Sequence, residues 1–191
     1  MYKDLVLKNR SYRRFYEHEK IDLSTLTELI DLARCSPSAQ NKQPLKYIIS
    51  NSEENNNLIF PTLSWAGYLK DWDGPSEGEK PSAYIIILVD KKVSPTFSCD
   101  HGIAAQTILL GATEKGFGGC MMGAIQRDKL QAAIEIEEHY EILLVIALGK
   151  PKETIVLEEI NNEGDIRYYR DSDDVHHVPK RKLKDIIVKS I

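Results

Sequence analysis

The sequence predicts a mixed fold of the α/β or α+β class, in which helices cover a sheet. Two runs, at residues 84–89 and 142–148, are short and apolar without interruption, which is typical of buried strands. Segments with apolar residues at three- and four-residue spacing, the pattern of one helix face, are interleaved with these strands. The 191 residues, of which 42% are hydrophobic, suit one domain with a single core.

The first half of the chain predicts one helix and one strand. The helix begins at Leu23, with Ser24 as its cap, because apolar residues then recur on one face. It ends before Pro37, since proline disfavours helical geometry in the residue that precedes it. A polar loop at 38–43 leads to a short strand at 47–49.

The second half predicts two buried strands and two helices. Residues 82–90 are apolar on both faces, which places this strand in the centre of a sheet. Asp100 caps a long helix that ends at Lys115, because the glycines at 116–119 suit the left-handed geometry of a helix end. The remaining elements are a short helix at 127–134 and a core strand at 141–148. Residues 51–57 are polar and weakly patterned, and the segment 71–80, which contains glycine, proline and charges, predicts an exposed loop.

Charge and composition exclude several classes of protein. A formal net charge of −4 is evidence against nucleic acid as the main partner, since proteins that bind polyphosphates usually carry a positive field. The longest apolar runs are far shorter than the ~20 residues of a membrane-spanning helix. Three cysteines without paired spacing indicate free thiols in a reducing compartment, and the first residues lack a signal-peptide pattern. We therefore expect a cytoplasmic protein that does not bind membranes.

The common catalytic and metal-binding motifs are absent from the sequence. The glycines at 116–119 do not form G-x-G-x-x-G, because Met121 occupies the last required position and a helix precedes them. There is no P-loop, no G-x-S-x-G motif and no metal-ligand spacing. The neighbours His176 and His177 would point in different directions on a regular element. We therefore predict neither a metal site nor a nucleophilic side chain.

Two polar clusters near the N-terminus are candidate binding sites. In the first, Arg10, Ser11 and Arg13 could hold a phosphate through charge-assisted hydrogen bonds, or could form a solvated helix end. In the second, at 36–44, two prolines fix a loop of hydroxyl, amide and backbone donors without negative charge. Such a set suits the edge of a planar heterocycle, and the alternative is a simple turn after a helix.

A third cluster, Lys180, Arg181 and Lys182, lies near the C-terminus. Its alternative interpretations are a solvated basic tail or a nucleic-acid contact, and the acidic net charge is evidence against the latter. Apolar side chains follow the cluster, at Leu183, Ile186 and Ile187. They predict that the tail packs against the body of the protein and places the cations at a defined site.

In this order and spacing, the clusters resemble the nitroreductase family over nearly the whole chain. The family motifs are matched at the front by Arg10, Ser11 and Arg13, in the loop by Pro37, Ser38, Asn41, Gln43 and Pro44, after the long helix by Gly116 to Gly123, and near the end by Lys180 and Arg181. The family carries the first motif on its N-terminal helix. Asn9 stands where many relatives have another arginine. We therefore expect phosphate binding to depend more on Arg10, Arg13 and the tail.

The resemblance implies an α+β fold with a central, mainly antiparallel sheet flanked by helices. It also implies one FMN-binding domain over residues 1–191 and an intertwined homodimer with two FMN sites at its interface, where Ser38, Ala39 and Asn41 come from the partner subunit. The backbone around Met122 and Gly123 would lie beside flavin N5. The implied cofactor-binding residues are Arg10, Ser11, Arg13, Pro37, Ser38, Ala39, Asn41, Gln43, Met122, Gly123, Lys180 and Arg181.

The function that the resemblance implies is a two-step hydride transfer. NADH or NADPH delivers hydride to flavin N5, and a small-molecule electron acceptor such as a nitroaromatic or a quinone then receives it. The flavin performs this redox step, so no catalytic side chain is implied, although Lys42 or Lys180 could stabilise the reduced ring. Alternatives are dehalogenation, double-bond reduction or flavin breakdown on the same fold, and FMN binding without catalysis.

Residues 64–80 would form much of the acceptor pocket. Trp65, Tyr68 and Trp72 could stack an aromatic acceptor there, or could anchor the loop to the core.

Overall fold

The computed structural model describes residues 2–160 and 164–191, and its centre is a five-stranded antiparallel sheet. The helices are α1 (Tyr2–Lys8), α2 (Leu23–Arg34), α3 (Glu53–Ile59), α4 (Asp100–Glu114), α5 (Arg127–Ala133) and α6 (Leu183–Ile186). The strands are β1 (Phe15–Tyr16), β2 (Leu45–Ser50), β3 (Ala83–Asp90), β4 (Gly118–Met122), β5 (Tyr140–Pro151), β6 (Ile155–Glu159), β7 (Tyr169–Arg170) and β8 (His176–Lys180). This arrangement confirms the α+β class and the antiparallel central sheet.

The sheet is built around its two most buried strands. β3 pairs with β5 on one side and with β2 on the other, which confirms the central position predicted for it. All eight residues of β3 are buried. The free side of β5 pairs with all five residues of β4 and, at its C-terminal end, with β1.

Alternating side chains of β3 enter two separate cores, because successive strand residues point to opposite faces of a sheet. Ile85 and Ile87 pack with side chains of α2 and α4. Tyr84 and Ile86 pack on the other face, against Leu130 of α5 and its neighbours. Burial of each such apolar side chain stabilises the fold by about 1.5–3 kcal/mol. Helices therefore cover both faces of the sheet.

Two predictions are wrong at helix ends, and one helix was not predicted. The weakly patterned segment at 51–57 contains most of α3, and the Ser52 hydroxyl caps this helix by accepting the backbone N–H of Asn55. The cap positions of α2 and α4 are Asp22 and Cys99, not Ser24 and Asp100. Asp100 lies inside the first turn of α4 and is buried, because it binds a neighbouring loop instead.

The strand pattern around β5 also differs from the prediction. Gly116, with a φ of 80°, ends the long helix as expected, but Gly118 and Gly119 begin β4. β5 continues past residue 148 to Pro151, because its last residues pair with β4 and β1. These pairings were not visible in the glycine-rich sequence, since glycine has a low intrinsic strand preference.

Beyond β5 the chain forms a second sheet, in the order β6-β8-β7, which the sequence did not predict. The tail that follows does not pack against the body. Leu183, Ile186 and Ile187 are 69%, 59% and 51% exposed. The prediction that they anchor the tail is wrong for a single chain, in which the tail forms only the short helix α6 and meets no core among the described residues.

The N-terminal motif lies after a helix rather than on one. α1 ends at Lys8, and Ser11 then forms a parallel bridge with Gly119 of β4. The backbone N–H of Tyr12 donates to the Gly119 carbonyl at 3.1 Å. A Cβ atom on Gly119 would lie 2.2 Å from the carbonyl oxygen of Ala147, so only glycine fits between β5 and the motif.

We expect Gly119→Ala to lower the free energy of unfolding by about 1–3 kcal/mol, because backbone must move to accept the methyl group. Urea unfolding followed by circular dichroism measures this change. Gly102→Ala is the matched control, since a Cβ there meets no atom within 4 Å and the position lies in α4. Equal stability of Gly119→Ala and the natural chain would contradict the close approach.

Candidate functional site

The N-terminal motif and the second sheet enclose a cavity of about 430 Å³, which we call the cationic cavity. This volume lies within the range of small-molecule sites. Its lining residues come from the motif, α4, β4 and the segments of the second sheet: Asn9, Arg10, Ser11, Arg13, Gln106, Leu109, Met121, Ile155, Tyr168, His176, Val178 and Lys180. The cavity therefore brings the front and the end of the chain together.

Among the residues that the structure describes, three cations line this cavity and no carboxylate does. Within the described residues, Arg10, Arg13 and Lys180 form no ion pair, whereas most nearby cations are paired: Arg14 and Lys152 with Glu79, and Arg170 with Glu153. One Arg10 nitrogen donates to the Val6 carbonyl at 2.7 Å, and its Nε is buried without a partner. Uncompensated cations around a concave space favour an anionic ligand.

Strand-like alternation sends neighbouring arginines to different places. Arg13 faces the cationic cavity, while Arg14 points away and forms a bidentate pair with Glu79, both bonds at 2.7 Å. Hydrogen bonds from Arg14 lower the pKa of Glu79 to about 2 and raise that of Arg14 above its usual range. The charge of Arg14 is thus balanced by Glu79, whereas the charge of Arg13 remains available to a ligand in the cavity.

A buried carboxylate fixes the backbone between these arginines. The side chain of Glu153 is fully buried and accepts the backbone N–H groups of both Arg13 and Arg14. Its other oxygen accepts Arg170 Nη2 at 3.1 Å. Glu153 therefore ties the N-terminal motif to the second sheet.

The second sheet supplies one wall of the cavity from alternate positions of β8. His176, Val178 and Lys180 share a face of this strand, as residues at a spacing of two must. His176 is fully buried, and its Nε2 lies 3.4 Å from Nη1 of Arg13. Burial, together with the charges of Arg13 and Arg170, lowers the pKa of His176 to about 4, so the ring is neutral.

His177 points the other way, which confirms that the two neighbouring histidines diverge. Its two ring nitrogens lie 3.1 Å from Glu158 and 3.0 Å from Asp171, and its ring stacks on Tyr169. These hydrogen bonds raise the pKa of His177.

The loop motif borders a second cavity, of about 280 Å³. Pro37, Ser38 and Gln43 line it, together with residues of α2, β2 and α4. The Ser38 hydroxyl donates to Asp100 at 2.6 Å, and the Ala39 N–H donates to the same carboxylate at 3.0 Å. Asp100 therefore holds the loop against the start of α4, a role that sequence reasoning missed.

The tip of this loop has an unusual backbone. Gln40, Asn41 and Gln43 have φ values of 54°, 53° and 51°, in the left-handed region that non-glycine residues seldom adopt. Ala39 and Asn41 are exposed. In one chain, none of these residues reaches the cationic cavity.

The predicted residues of β4 divide between two faces. Met121 lines the cationic cavity, whereas Met122 is buried in the core. Gly123 is exposed just beyond the strand end. At the C-terminal motif, Lys180 lines the cavity, while the exposed Arg181 does not.

The aromatic residues at 64–80 also divide. Trp65 is buried and packs edge-on against Trp72, over which the Arg170 guanidinium lies at 4.3 Å from the ring centre. Both therefore anchor the loop. Tyr68 is half exposed and contacts the ring of Tyr168, a residue that lines the cationic cavity.

Tyr168 and His176 were not predicted as site residues. The one sequence signal that could have identified His176 is the two-residue spacing of side chains on one face of a strand. Had a strand been recognised at 176–180, its alternation would have placed His176 on the same face as Lys180.

Across the described ranges, the helices are too short or too polar to cross a membrane.

Comparison with known proteins gives a consistent family. A sequence model described as "Nitroreductase family" matches residues 6–71 and 79–150. A Bacillus subtilis protein named "Putative NAD(P)H nitroreductase YodC" is 26% identical, over 76% of this chain and 87% of its own length. A nitroreductase family protein of Streptococcus pneumoniae shares the fold, with a TM-score of 0.71, 17% identity and full coverage of both chains. An FMN-dependent nitroreductase of Clostridium difficile has a TM-score of 0.63 and 19% identity, over 88% and 92% of the chains.

The two histidines predict opposite effects of pH on stability. His176 has a lower pKa when folded than its ordinary 6.5, so the unfolded chain binds more protons and the free energy of unfolding falls as the pH drops from 6.5 to about 4. The raised pKa of His177 stabilises the fold below pH 6.5, and this contribution is lost as the pH rises through the folded pKa.

We expect His176→Phe to remove the decrease in the free energy of unfolding between pH 6.5 and about 4. We expect His177→Phe to remove the stabilisation below pH 6.5. Urea unfolding at pH steps from 4 to 8 measures both, and each variant is the control for the other. Superimposable pH profiles of the natural chain and His176→Phe would contradict a buried neutral imidazole.

Proposed function

Because the chain belongs to the nitroreductase family, we propose that it is an oxidoreductase that binds FMN and uses NADH or NADPH to reduce a small molecule. The acceptor class that we propose is a nitroaromatic or a quinone. The names of its relatives support this proposal, since they combine nitroreductase with NAD(P)H or with FMN. We further propose that residues 1–191 form one cytoplasmic FMN-binding domain.

The observation that carries the proposal is the cationic cavity. Three cations that have no carboxylate partner among the described residues surround it, and an FMN phosphate carries about −1.5 to −2 charges at neutral pH. Arginine binds such a group through paired charge-assisted hydrogen bonds, and the exposed Ser11 lies at the same wall. The donor set therefore fits a phosphomonoester, with Arg10, Ser11, Arg13 and Lys180 in the binding role. Arg181 follows directly and would add charge at the entrance.

The proposed ring-binding residues require a second copy of the chain. Pro37, Ser38, Ala39, Asn41 and Gln43 do not line the cationic cavity of their own chain, so in the proposed homodimer they reach the flavin of the partner subunit. Two features support a dimer. The amide-bearing tip of this loop is exposed, and so are the apolar side chains of the tail: Leu183, Ile186, Ile187, Val188 and Ile191. Such a run of exposed apolar residues indicates a surface that another chain covers.

When bound, FMN supplies N5, the atom that accepts hydride from the nicotinamide and passes it to the acceptor. The residues of the chain bind and orient this group. Since the Met122 side chain is in the core, only backbone of Met122 and Gly123 is available to hydrogen-bond the ring. Lys180 lines the cavity, so its charge would stabilise the negative charge that develops on the flavin when the ring is reduced.

The central test is spectroscopic. We expect the purified protein, after incubation with FMN and removal of excess, to be yellow and to bleach when NADH or NADPH is added without oxygen. Addition of a nitroaromatic or quinone should restore the colour. A protein that keeps FMN but does not bleach with either nucleotide would be a flavin-binding protein without this activity.

Removal of one cavity arginine should weaken FMN binding. Hydrogen bonds to charged groups contribute about 1.5–3 kcal/mol, so we expect Arg10→Ala and Arg13→Ala to raise the FMN dissociation constant roughly 10- to 100-fold. Flavin fluorescence titration of the apoprotein measures it. Lys91→Ala, which removes a cation of an exposed ion pair, is the control and should bind FMN normally. Normal binding by both arginine variants would remove the phosphate assignment.

A further inference from the structure

The groups of the described residues that directly contact the Arg13 guanidinium are neutral. Its Nη1 donates to the Ser11 carbonyl at 3.1 Å and lies 3.4 Å from His176 Nε2. Its central carbon lies 4.9 Å from the centre of the Tyr168 ring. The rings of Tyr168 and His176 also contact each other, with 5.2 Å between their centres. Two aromatic rings from the C-terminal segment thus hold one guanidinium.

The hydrogen bond to Arg13 fixes the protonation of His176. An arginine can only donate, so Nε2 must accept and the ring proton must lie on Nδ1. Nδ1 is buried and has no partner in the described part of the chain. A buried donor without a partner is costly and calls for an explanation. The orientation of the His176 ring leaves Nδ1 unpaired and keeps Nε2 in contact with Arg13.

Arg14 shows what the alternative would look like. It is held by two hydrogen bonds from a carboxylate, Glu79, which also cancels its charge. A neutral imidazole and an aromatic face orient a guanidinium without cancelling its charge. The partners of Arg13 therefore fix its direction and leave its charge available to an anion.

We call the Tyr168 and His176 rings, which hold Arg13 between them, the clamp, and other contacts hold the clamp in place. The Tyr168 hydroxyl lies within 3.4 Å of the Tyr68 backbone nitrogen, and the two tyrosine rings are 5.0 Å apart. Arg170, two residues along, is fixed by the buried carboxylate of Glu153. Both contacts hold the segment that carries Tyr168 in place.

We propose that His176 and Tyr168 are positioning residues that orient Arg13 toward the phosphate of a bound phosphomonoester. This inference rests on the proposed function, because it takes Arg13 as a phosphate ligand. The specificity it adds is for the phosphorylated form of the cofactor: the clamp favours FMN over riboflavin, which has the same ring without the phosphate.

The test compares FMN with riboflavin on the apoprotein by fluorescence titration. We expect His176→Phe, which keeps a ring but loses the acceptor, to weaken FMN binding about 3- to 10-fold and to leave riboflavin binding unchanged. His176→Gln places an amide near the position of Nε2 and should restore part of the preference. Tyr168→Leu should weaken FMN binding, whereas Tyr168→Phe keeps the ring, loses only the contact with the Tyr68 backbone and should weaken binding less.

His177→Phe is the matched control, since this neighbour points away from the cavity and should keep the full preference for FMN. Thermal unfolding of each apoprotein checks that it is folded. The double variant Arg13→Ala, His176→Phe tests whether His176 acts through Arg13. If it does, the second substitution adds no further loss to the first.

The outcomes separate the two proposals. If the natural apoprotein binds FMN no more tightly than riboflavin, the phosphate role of the cavity is wrong. If it prefers FMN and His176→Phe keeps that preference, the clamp alone is wrong. An equal loss of FMN and riboflavin binding, or additive losses in the double variant, would also overturn the clamp.

Discussion

One buried carboxylate joins the two ends of this chain. Glu153 has no exposed side-chain surface, and it accepts hydrogen bonds from the backbone of Arg13 and Arg14 and from the guanidinium of Arg170. A buried carboxylate without such donors would be strongly destabilising. The N-terminal motif and the second sheet must therefore stay together for Glu153 to be buried. The cationic cavity lies between these two parts, so its walls are set by this interaction.

The central sheet could be predicted because its information is local. Residues 83–89 are hydrophobic at every position, and only a strand between two others buries both faces of such a segment. The second sheet could not be predicted in this way. β7 has two residues, and β6 and β8 combine polar and apolar side chains without a clear period. Their pairing depends on contacts with the distant N-terminal motif, which no local pattern records.

The candidate site shows the same division. Arg10, Ser11, Arg13 and Lys180 were predicted from their chemistry and motif spacing, and the structure brings all four to one cavity. The loop motif and the flavin-ring residues remain predictions, because one chain places them outside that cavity. His176 and Tyr168 lie beyond residue 150, where the match to the family ends. These two rings of the cavity wall thus lie outside the residues that the family model matches.

The three cations, which have no ion pair among the described residues, also affect the stability of the ligand-free protein. Like charges that share a cavity repel one another, and this repulsion weakens the folded state until an anion relieves it. A ligand that binds only the folded chain stabilises it further by mass action. We therefore expect the ligand-free chain to be the least stable form of the protein, and to open first where the second sheet meets the N-terminal motif. The supply of an anion that binds this cavity would then determine how much of the protein escapes degradation.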